Sequence, residues 1–136
     1  MNKKKFENSY QNSRKNHGME NAEDYVEIVA DLIQEKGEAK IVDISNKLGI
    51  AQSTANKTIK RLKNRGYLYK EPYGSVFLTI QGQKLARNSK KRHNTVYEFL
   101  RKIGVSKKTS IRDSEGIEHH VSQETLEAFK KIINKY

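Results

Sequence analysis

The stretch VDISNKLGIAQSTANKTIKRLKNRG, residues 42–66, decides the fold. Its first part predicts a short helix that closes at Gly49, and its second part predicts a helix from about Gln52 that ends at Gly66. The second helix has apolar residues at helical spacing that would face inward: Ala55, Ile59 and Leu62. Two short helices around a Leu-Gly-Ile turn are typical of a helix-turn-helix.

The flanking sequence completes a winged helix. Upstream, between Asn21 and Lys36, apolar residues at helical spacing predict a first helix. They are Tyr25, Ile28, Val29, Leu32 and Ile33. Downstream the period changes, and residues 67–69 and 76–78 predict two short strands on either side of a turn at 72–74. This β-hairpin would be the wing.

The remaining sequence predicts helices only. Thr79 is a suitable N-cap for a long helix to about Ile103, and Gly104 breaks that helix. Its buried stripe should contain Val96, Phe99, Leu100 and Ile103. A helix over 107–119 follows, and Ser122 should cap a last helix that carries Leu126, Phe129, Ile132 and Ile133. The predicted fold class is mostly α with a small β-hairpin, a winged helix-turn-helix followed by a helical region.

Composition limits the classes of function. A chain of 136 residues is one domain, or one DNA-binding module with a small appendage. The 27 Lys and Arg outnumber the 16 Asp and Glu, and the net charge of +11 favours a polyanionic partner. Without Cys there is no disulfide, thiolate metal site or cysteine nucleophile. No apolar run approaches the roughly 20 residues of a membrane span, and we expect a soluble, cytoplasmic protein.

The charge is arranged in alternating blocks. Residues 52–70 hold six basic residues and no acid, and residues 84–108 hold nine basic residues and one acid. Residues 20–38 hold seven acids and one base, and residues 109–127 hold five acids and one base. The basic blocks indicate nucleic acid, and the acidic blocks need a separate reason.

The second helix of the helix-turn-helix is the predicted DNA-reading element. Short or amide side chains that can hydrogen-bond base edges or phosphates begin it: Gln52, Ser53, Thr54, Asn56 and Lys57. Further along, four basic residues offer positive charge to the DNA backbone: Lys60, Arg61, Lys63 and Arg65. Tyr73, at the wing tip, could approach a phosphate or the minor groove, and a plain hairpin turn is the alternative. An ordinary solvated helix is the alternative for the basic helix.

The acidic blocks contain a pattern suited to metal binding. Glu115, Glu118 and His119 follow the i, i+3, i+4 spacing of one helix face. Three more candidates lie elsewhere, one in line with the buried stripe of the long helix and two on the first helix: His93, Asp24 and Glu27. Each also has an ordinary interpretation, as a hydrogen-bonded core histidine or a solvated acid. Spacing alone does not bring the three segments together.

Several motifs together resemble one family. They are DYVE at 24–27, residues 37–68, VFLTIQGQKLA at 76–86, Arg92-His93 and EGIEHHVS at 115–122. The combination resembles the diphtheria-toxin-repressor family of metal-activated transcriptional regulators, and within it the manganese-transport-regulator branch. The resemblance implies a homodimer with a winged-helix DNA-binding domain at 21–80 and a helical metal-binding and dimerisation domain at 81–136. Residues 1–20 would be a disordered, basic and polar arm.

The resemblance also implies the metal ligands. By position they are Asp24, Glu27, His93, Glu115, Glu118 and His119, whereas His120 matches no ligand. Carboxylates and imidazoles without sulfur suit Mn²⁺ and Fe²⁺, although Co²⁺ or Zn²⁺ could also bind in vitro. The resemblance favours two Mn²⁺ ions per subunit, a palindromic double-stranded DNA operator and repression of manganese uptake genes. Tyr73-Gly74-Ser75 departs from the aromatic-Arg-Gly that the family carries at its wing tip.

A mechanism follows from the positions of these ligands. Metal would tie the DNA-binding domain to the dimerisation domain and select the spacing at which both reading helices fit successive major grooves. Phe129, Ile132 and Ile133 are candidates for the dimer core, and packing within one subunit is the alternative. Two other functions remain open: a winged-helix nucleic-acid-binding protein without a metal effector, and a metallohydrolase that uses the same side chains.

Overall fold

The computed structural model describes residues 21–72 and 74–135, which divide into two compact units, 21–87 and 88–135. The elements are α1 (21–36), α2 (Ile41–Leu48), α3 (Gln52–Asn64), β1 (Leu68–Lys70), β2 (Val76–Leu78), α4 (Ile80–Lys102), α5 (Lys107–Ile117) and α6 (Gln123–Lys135). This confirms the predicted fold class. The predicted arm at 1–20 and Tyr73 at the wing tip lie outside the described residues. None of the described helices has both the length and the apolar character needed to cross a bilayer.

The first unit contains the helix-turn-helix. Gly49 closes α2 in the left-handed conformation (φ 69°), where a residue with a Cβ would be strained. The backbone N–H of Ile50 then donates to the carbonyl of Ser45 at 3.1 Å, which fixes the turn into α3. The three inward residues of α3, Ala55, Ile59 and Leu62, are buried as predicted. They belong to a core built from α1, α2, α3 and the hairpin. That core includes Val26, Val29, Leu32, Ile44, Ala55, Ile59, Leu62, Leu68 and Val76.

The wing is a two-stranded antiparallel hairpin in which Leu68 pairs with Leu78. The Thr79 side chain links α4 to the residues that lead into the hairpin. Its hydroxyl donates to the Gly66 carbonyl at 2.6 Å and accepts from the Gly82 N–H at 3.0 Å. Thr79 is therefore the N-cap of α4, as predicted. A Cβ built on Gly82 would overlap the carbonyl oxygen of Tyr67, so only glycine allows this close approach of α4 to the hairpin.

Substitution of Gly82 by alanine tests this close approach. The new methyl group must displace the Tyr67 carbonyl, so we expect the free energy of unfolding to fall by about 1–3 kcal/mol. Alanine in a helix interior normally makes a protein more stable than glycine does. The loss of stability predicted for Gly82→Ala is therefore opposite to what helix propensity alone would give. Urea unfolding followed by circular dichroism measures the change, with the exposed neighbour Gln81→Ala as control. A G82A protein as stable as Q81A would contradict the packing described here.

The second unit is formed by residues 88–102 of α4 together with α5 and α6. Val96 and Leu126 are its buried aliphatic residues among those described. Phe99 of α4 stacks on Phe129 of α6, with ring centroids 3.9 Å apart and planes within 3°. Phe129 therefore packs against α4 of its own subunit, and its place in a dimer core stays a prediction.

Two details of the second unit correct the sequence predictions. Ile103 was expected in the buried stripe of α4, but it is 56% exposed, because α4 ends at Lys102 and Gly104 turns the chain at φ 103°. The helix predicted over 107–119 ends at Ile117. Glu118 is its C-cap, and His119 lies in the turn that follows.

Candidate metal centre and DNA-binding surface

The candidate metal centre is formed inside the second unit by α4 and α5. Ser106 caps the start of α5 by accepting the N–H of Thr109 at 3.3 Å, which fixes where the helix begins. Counting from that start, Glu115 lies in the last turn and Glu118 is at the C-cap, one helical turn further along. His93 extends from α4 and is partly buried, with 23% of its side chain exposed.

Three side chains meet at one point of this unit. His93 Nδ1 lies 3.4 Å from Glu115 Oε1 and 3.4 Å from Glu118 Oε2. One potential ligand atom from each of the three residues lies within 4.8 Å of the other two. The fold thus brings together three of the six predicted ligands, although His93 is more than twenty residues from the others in sequence.

Glu118 is the most unusual residue of the cluster. Its side chain is fully buried, and neither carboxylate oxygen has a hydrogen-bond partner among the described residues. Burial raises the pKa of the Glu118 carboxyl above its ordinary value, and the nearby His93 and His119 oppose the rise. A buried carboxylate without hydrogen bonds is costly unless a cation compensates it.

His119 lies on the other side of the same carboxylate. Its Nε2 is 3.4 Å from Glu118 Oε1, and its side chain is only 1% exposed. Glu118 therefore has an imidazole near each oxygen, His93 at Oε2 and His119 at Oε1. His120, which the resemblance excluded from the ligands, is exposed.

The donor set fits a hard divalent cation. Ligands of an octahedral ion with bonds of about 2.1–2.4 Å are about 3.0–3.4 Å apart when they are neighbours. The two 3.4 Å separations around His93 Nδ1 match that spacing. They are long for charge-assisted hydrogen bonds, which are about 2.7–2.9 Å. Carboxylate oxygen with imidazole nitrogen and no sulfur is the chemistry of Mn²⁺ or Fe²⁺ rather than of a soft metal.

The two remaining predicted ligands belong to the first unit. Asp24 and Glu27 lie one helical turn apart on α1, and both are half-buried. Each takes part in at least one polar or electrostatic interaction. Their participation in the metal centre stays a prediction.

The predicted DNA-reading helix presents its polar residues to solvent. On α3 the exposed set is Gln52, Ser53, Thr54, Asn56, Lys57, Lys60 and Arg61. The opposite side is buried, with Ala55, Ile59 and Leu62 in the core. α3 therefore has one face fixed to the unit and one face free to enter a groove. The contact of each exposed residue with DNA stays a prediction.

Sequence reasoning missed one lysine beside this helix, Lys70. A groove of about 320 Å³ runs between α3 and the hairpin, lined by Asn56, Ile59, Lys60, Lys63, Lys70, Glu71 and Pro72. Lys63 and Lys70 both bring positive charge to the groove. The sequence predicted a contact with the DNA backbone for Lys63 but not for Lys70. The signal that could have found Lys70 is its place as the last residue of β1, directly before the wing turn.

The groove lysines can be tested through salt dependence. Lys63→Ala and Lys70→Ala should each weaken binding to all DNA sequences similarly. Each should make the slope of log affinity against log salt concentration less negative by about 0.9, because one phosphate contact is lost. Fluorescence anisotropy at several salt concentrations measures this. Lys40→Ala removes a charge that already pairs with Glu38 at 3.3 Å, and it is the control. Equal slopes for all three variants would contradict a role for the groove.

Comparison with known proteins identifies related chains. Residues 17–76 match the iron dependent repressor N-terminal DNA binding domain, and residues 79–136 match the iron dependent repressor metal binding and dimerisation domain. The chain is 43% identical to the transcriptional regulator MntR of Escherichia coli O157:H7 over 136 residues, which are 100% of this chain and 88% of that protein. It is 50% identical to MntR of Salmonella typhimurium (strain LT2) over 116 residues, 85% of this chain and 74% of that protein.

Solved structures share the fold of this chain. The chain is similar to T. acidophilum IdeR, with a TM-score of 0.72 and 27% identity over 82% of this chain and 53% of that chain. A manganese-dependent transcriptional repressor in complex with manganese shares the fold, with a TM-score of 0.74 and 24% identity over 83% of this chain and 52% of that chain. This chain thus spans about half the length of those two solved chains. The two matched domains and the identity to MntR proteins show that it belongs to the iron-dependent, or diphtheria-toxin, repressor family, in the MntR branch.

Proposed function

We propose that this chain is a manganese-responsive, DNA-binding transcriptional regulator whose metal centre includes His93, Glu115 and Glu118. The observation that carries the proposal is the buried Glu118 carboxylate. It has no hydrogen-bond partner in the part of the chain that the structure describes, and an imidazole lies 3.4 Å from each of its oxygens. The named relatives are transcriptional regulators, a non-enzymatic class, so the hydrolase alternative is not retained. Chromosomal DNA as the target implies work in the cytoplasm.

DNA binding and dimerisation follow from the family, and their details belong to the proposal. The chain has a DNA-binding domain and a dimerisation domain and acts as a homodimer. In the dimer, two copies of α3 would read the two half-sites of a palindromic operator, since a two-fold protein matches a two-fold site. By analogy with the manganese-dependent repressor among the solved structures, the regulated genes would be repressed when metal is bound.

The ligand set extends beyond the three clustered residues. His119 lies against the same carboxylate as His93, and Asp24 and Glu27 carry the right donor atoms one helical turn apart on α1. All six residues together offer four carboxylates and two imidazoles, which would be enough donors to hold two Mn²⁺ ions. Fe²⁺, Co²⁺ or Zn²⁺ would compete in vitro, because the Irving–Williams order disfavours Mn²⁺.

Regulation would arise because the ligands belong to both domains. Asp24 and Glu27 precede the helix-turn-helix, whereas Glu115, Glu118 and His119 are in the dimerisation domain. These residues would hold a divalent cation, whose charge would offset that of the carboxylates. The carboxylates of the two domains would then repel one another less, and the protein would favour the spacing of the two α3 helices that fits DNA. A coupling of about 1–3 kcal/mol corresponds to a roughly 5–150-fold change in operator affinity.

The proposed function is tested with the wild-type protein. DNA sites are first selected from a random library by protein loaded with Mn²⁺. Affinity for a selected site is then measured by fluorescence anisotropy at fixed salt with Mn²⁺ and with EDTA. We expect binding at least fivefold tighter with Mn²⁺. Equal affinity in the two conditions would contradict the metal response and leave a winged-helix protein without an effector.

A further inference from the structure

Ser114, next to the metal centre on α5, has no role in the ligand set considered above. Ser114 is fully buried in the second unit. It immediately precedes Glu115 and lies one helical turn before Glu118, whose backbone N–H donates to the Ser114 carbonyl at 3.1 Å. Ser114 and Glu118 therefore lie on the same face of the helix.

The hydroxyl group of Ser114 is oriented by its one proton. The Oγ donates to the backbone carbonyl of Ile111 at 3.0 Å, so it can only accept on its other side. On that side lies His93 Nδ1, at 3.5 Å. A lone pair of Ser114 Oγ thus faces His93 Nδ1, the same nitrogen that lies near the carboxylates of Glu115 and Glu118.

Three oxygen atoms surround His93 Nδ1 at nearly equal distances. They are Glu115 Oε1 and Glu118 Oε2, both at 3.4 Å, and Ser114 Oγ at 3.5 Å. These separations are close to the roughly 3.0–3.4 Å between neighbouring ligands of one octahedral cation. One nitrogen and three oxygens are a donor set for a hard ion of high coordination number.

We propose that the Ser114 hydroxyl is an additional oxygen ligand of the metal centre and favours Mn²⁺ over Zn²⁺. The inference rests on the proposed function and deepens it. A neutral hydroxyl adds a ligand without adding charge, which helps an ion that prefers six oxygen and nitrogen donors. Zn²⁺ is satisfied by four ligands and gains little from it.

The first test compares two buried serines of the same helix. Ser110 is also fully buried, and its Oγ donates to the Val105 carbonyl at 3.3 Å, so Ser110→Ala is a matched control. We expect Ser114→Ala to weaken Mn²⁺ binding at least tenfold, within the range seen when groups around a metal are removed. Zn²⁺ binding should change by less than about threefold. Titrations followed by electron paramagnetic resonance of free Mn²⁺ and by a zinc-competing dye give both affinities.

The second test detects whether the side chain at position 114 binds the metal. The chain contains no cysteine, so Ser114→Cys introduces its only thiol. With Co²⁺ bound, S114C should show a thiolate-to-cobalt charge-transfer band that the wild type and S110C lack. The absence of that band, or equal Mn²⁺ affinity of S114A and S110A, would overturn the assignment of Ser114 while leaving the metal centre in place. A wild-type protein that binds no Mn²⁺ would overturn the proposed function as well.

Discussion

Replacement of Glu118 by alanine is expected to make operator binding independent of Mn²⁺. Glu118 is the buried carboxylate between two imidazoles, and the variant retains only part of the donor set. The affinity ratio between Mn²⁺ and EDTA, about 5–150 for the wild type, should fall to about 1. Binding to non-specific DNA should persist, because the α3 face and the groove lysines are untouched. Fluorescence anisotropy on the selected site and on a scrambled site measures both quantities.

The control for this variant corrects for charge. Removal of any glutamate makes the protein more basic and strengthens DNA binding in general. Glu98 is exposed on α4 of the same unit, so Glu98→Ala makes the same change of charge outside the centre. E98A should keep the full response to Mn²⁺. An E118A protein that responds to Mn²⁺ as strongly as E98A would contradict the role assigned to Glu118.

Replacement of Glu118 by glutamine is expected to stabilise the metal-free protein and to abolish its stabilisation by Mn²⁺. Because burial raises the pKa of this carboxyl, the folded state retains a proton that the unfolded chain releases near the ordinary pKa of 4.5. The proton retained on Glu118 stabilises the folded state fully below pH 4.5, and this stabilisation is lost as pH rises through the folded-state pKa. Glutamine is neutral at every pH, so the variant does not lose stability through ionisation of a buried carboxyl. Near neutral pH the metal-free variant should therefore be more stable, by roughly 1–3 kcal/mol.

Thermal and urea unfolding measure both effects. The wild type should gain about 2.7 kcal/mol at a Mn²⁺ concentration one hundred times the dissociation constant, whereas E118Q should gain almost nothing. Glu124→Gln, at an exposed position in the first turn of α6, is the control and should keep the response to Mn²⁺. A metal-free E118Q that is less stable than the wild type near pH 7.5 would contradict the prediction. It would show that other groups of the protein already stabilise the buried carboxylate without a metal.

Much of the fold could be predicted because its signals are local. The apolar period of α3, the glycine that closes α2 and the Thr79 cap each act over a few residues, and the structure confirms all three. The end of α5 was predicted two residues too late, since the helix ends at Ile117. Gly116 lies just before that end, but it lacks the positive φ with which Gly49 closes α2. Ile103 kept the helical period but lies past the end of α4.

The candidate site was predictable in residue types but not in geometry. Spacing placed Glu115 and Glu118 one helical turn apart, whereas the approach of His93 depends on how α4 packs beside α5. No sequence pattern marks Ser114 as part of the centre, since a serine inside a helix commonly hydrogen-bonds to its own backbone. Lys70 was missed for a similar reason, because its place in the groove depends on the hairpin folding back towards α3.

The measurement that most directly tests metal coupling of the two domains is anomalous diffraction at the manganese absorption edge from crystals grown with Mn²⁺. The account predicts an anomalous peak about 2.1–2.4 Å from ligand atoms of His93, Glu115 and Glu118. It also predicts that Asp24 or Glu27 of α1 supplies a ligand to the same centre. A peak held by the dimerisation domain alone, with both α1 carboxylates away from it, would contradict the account.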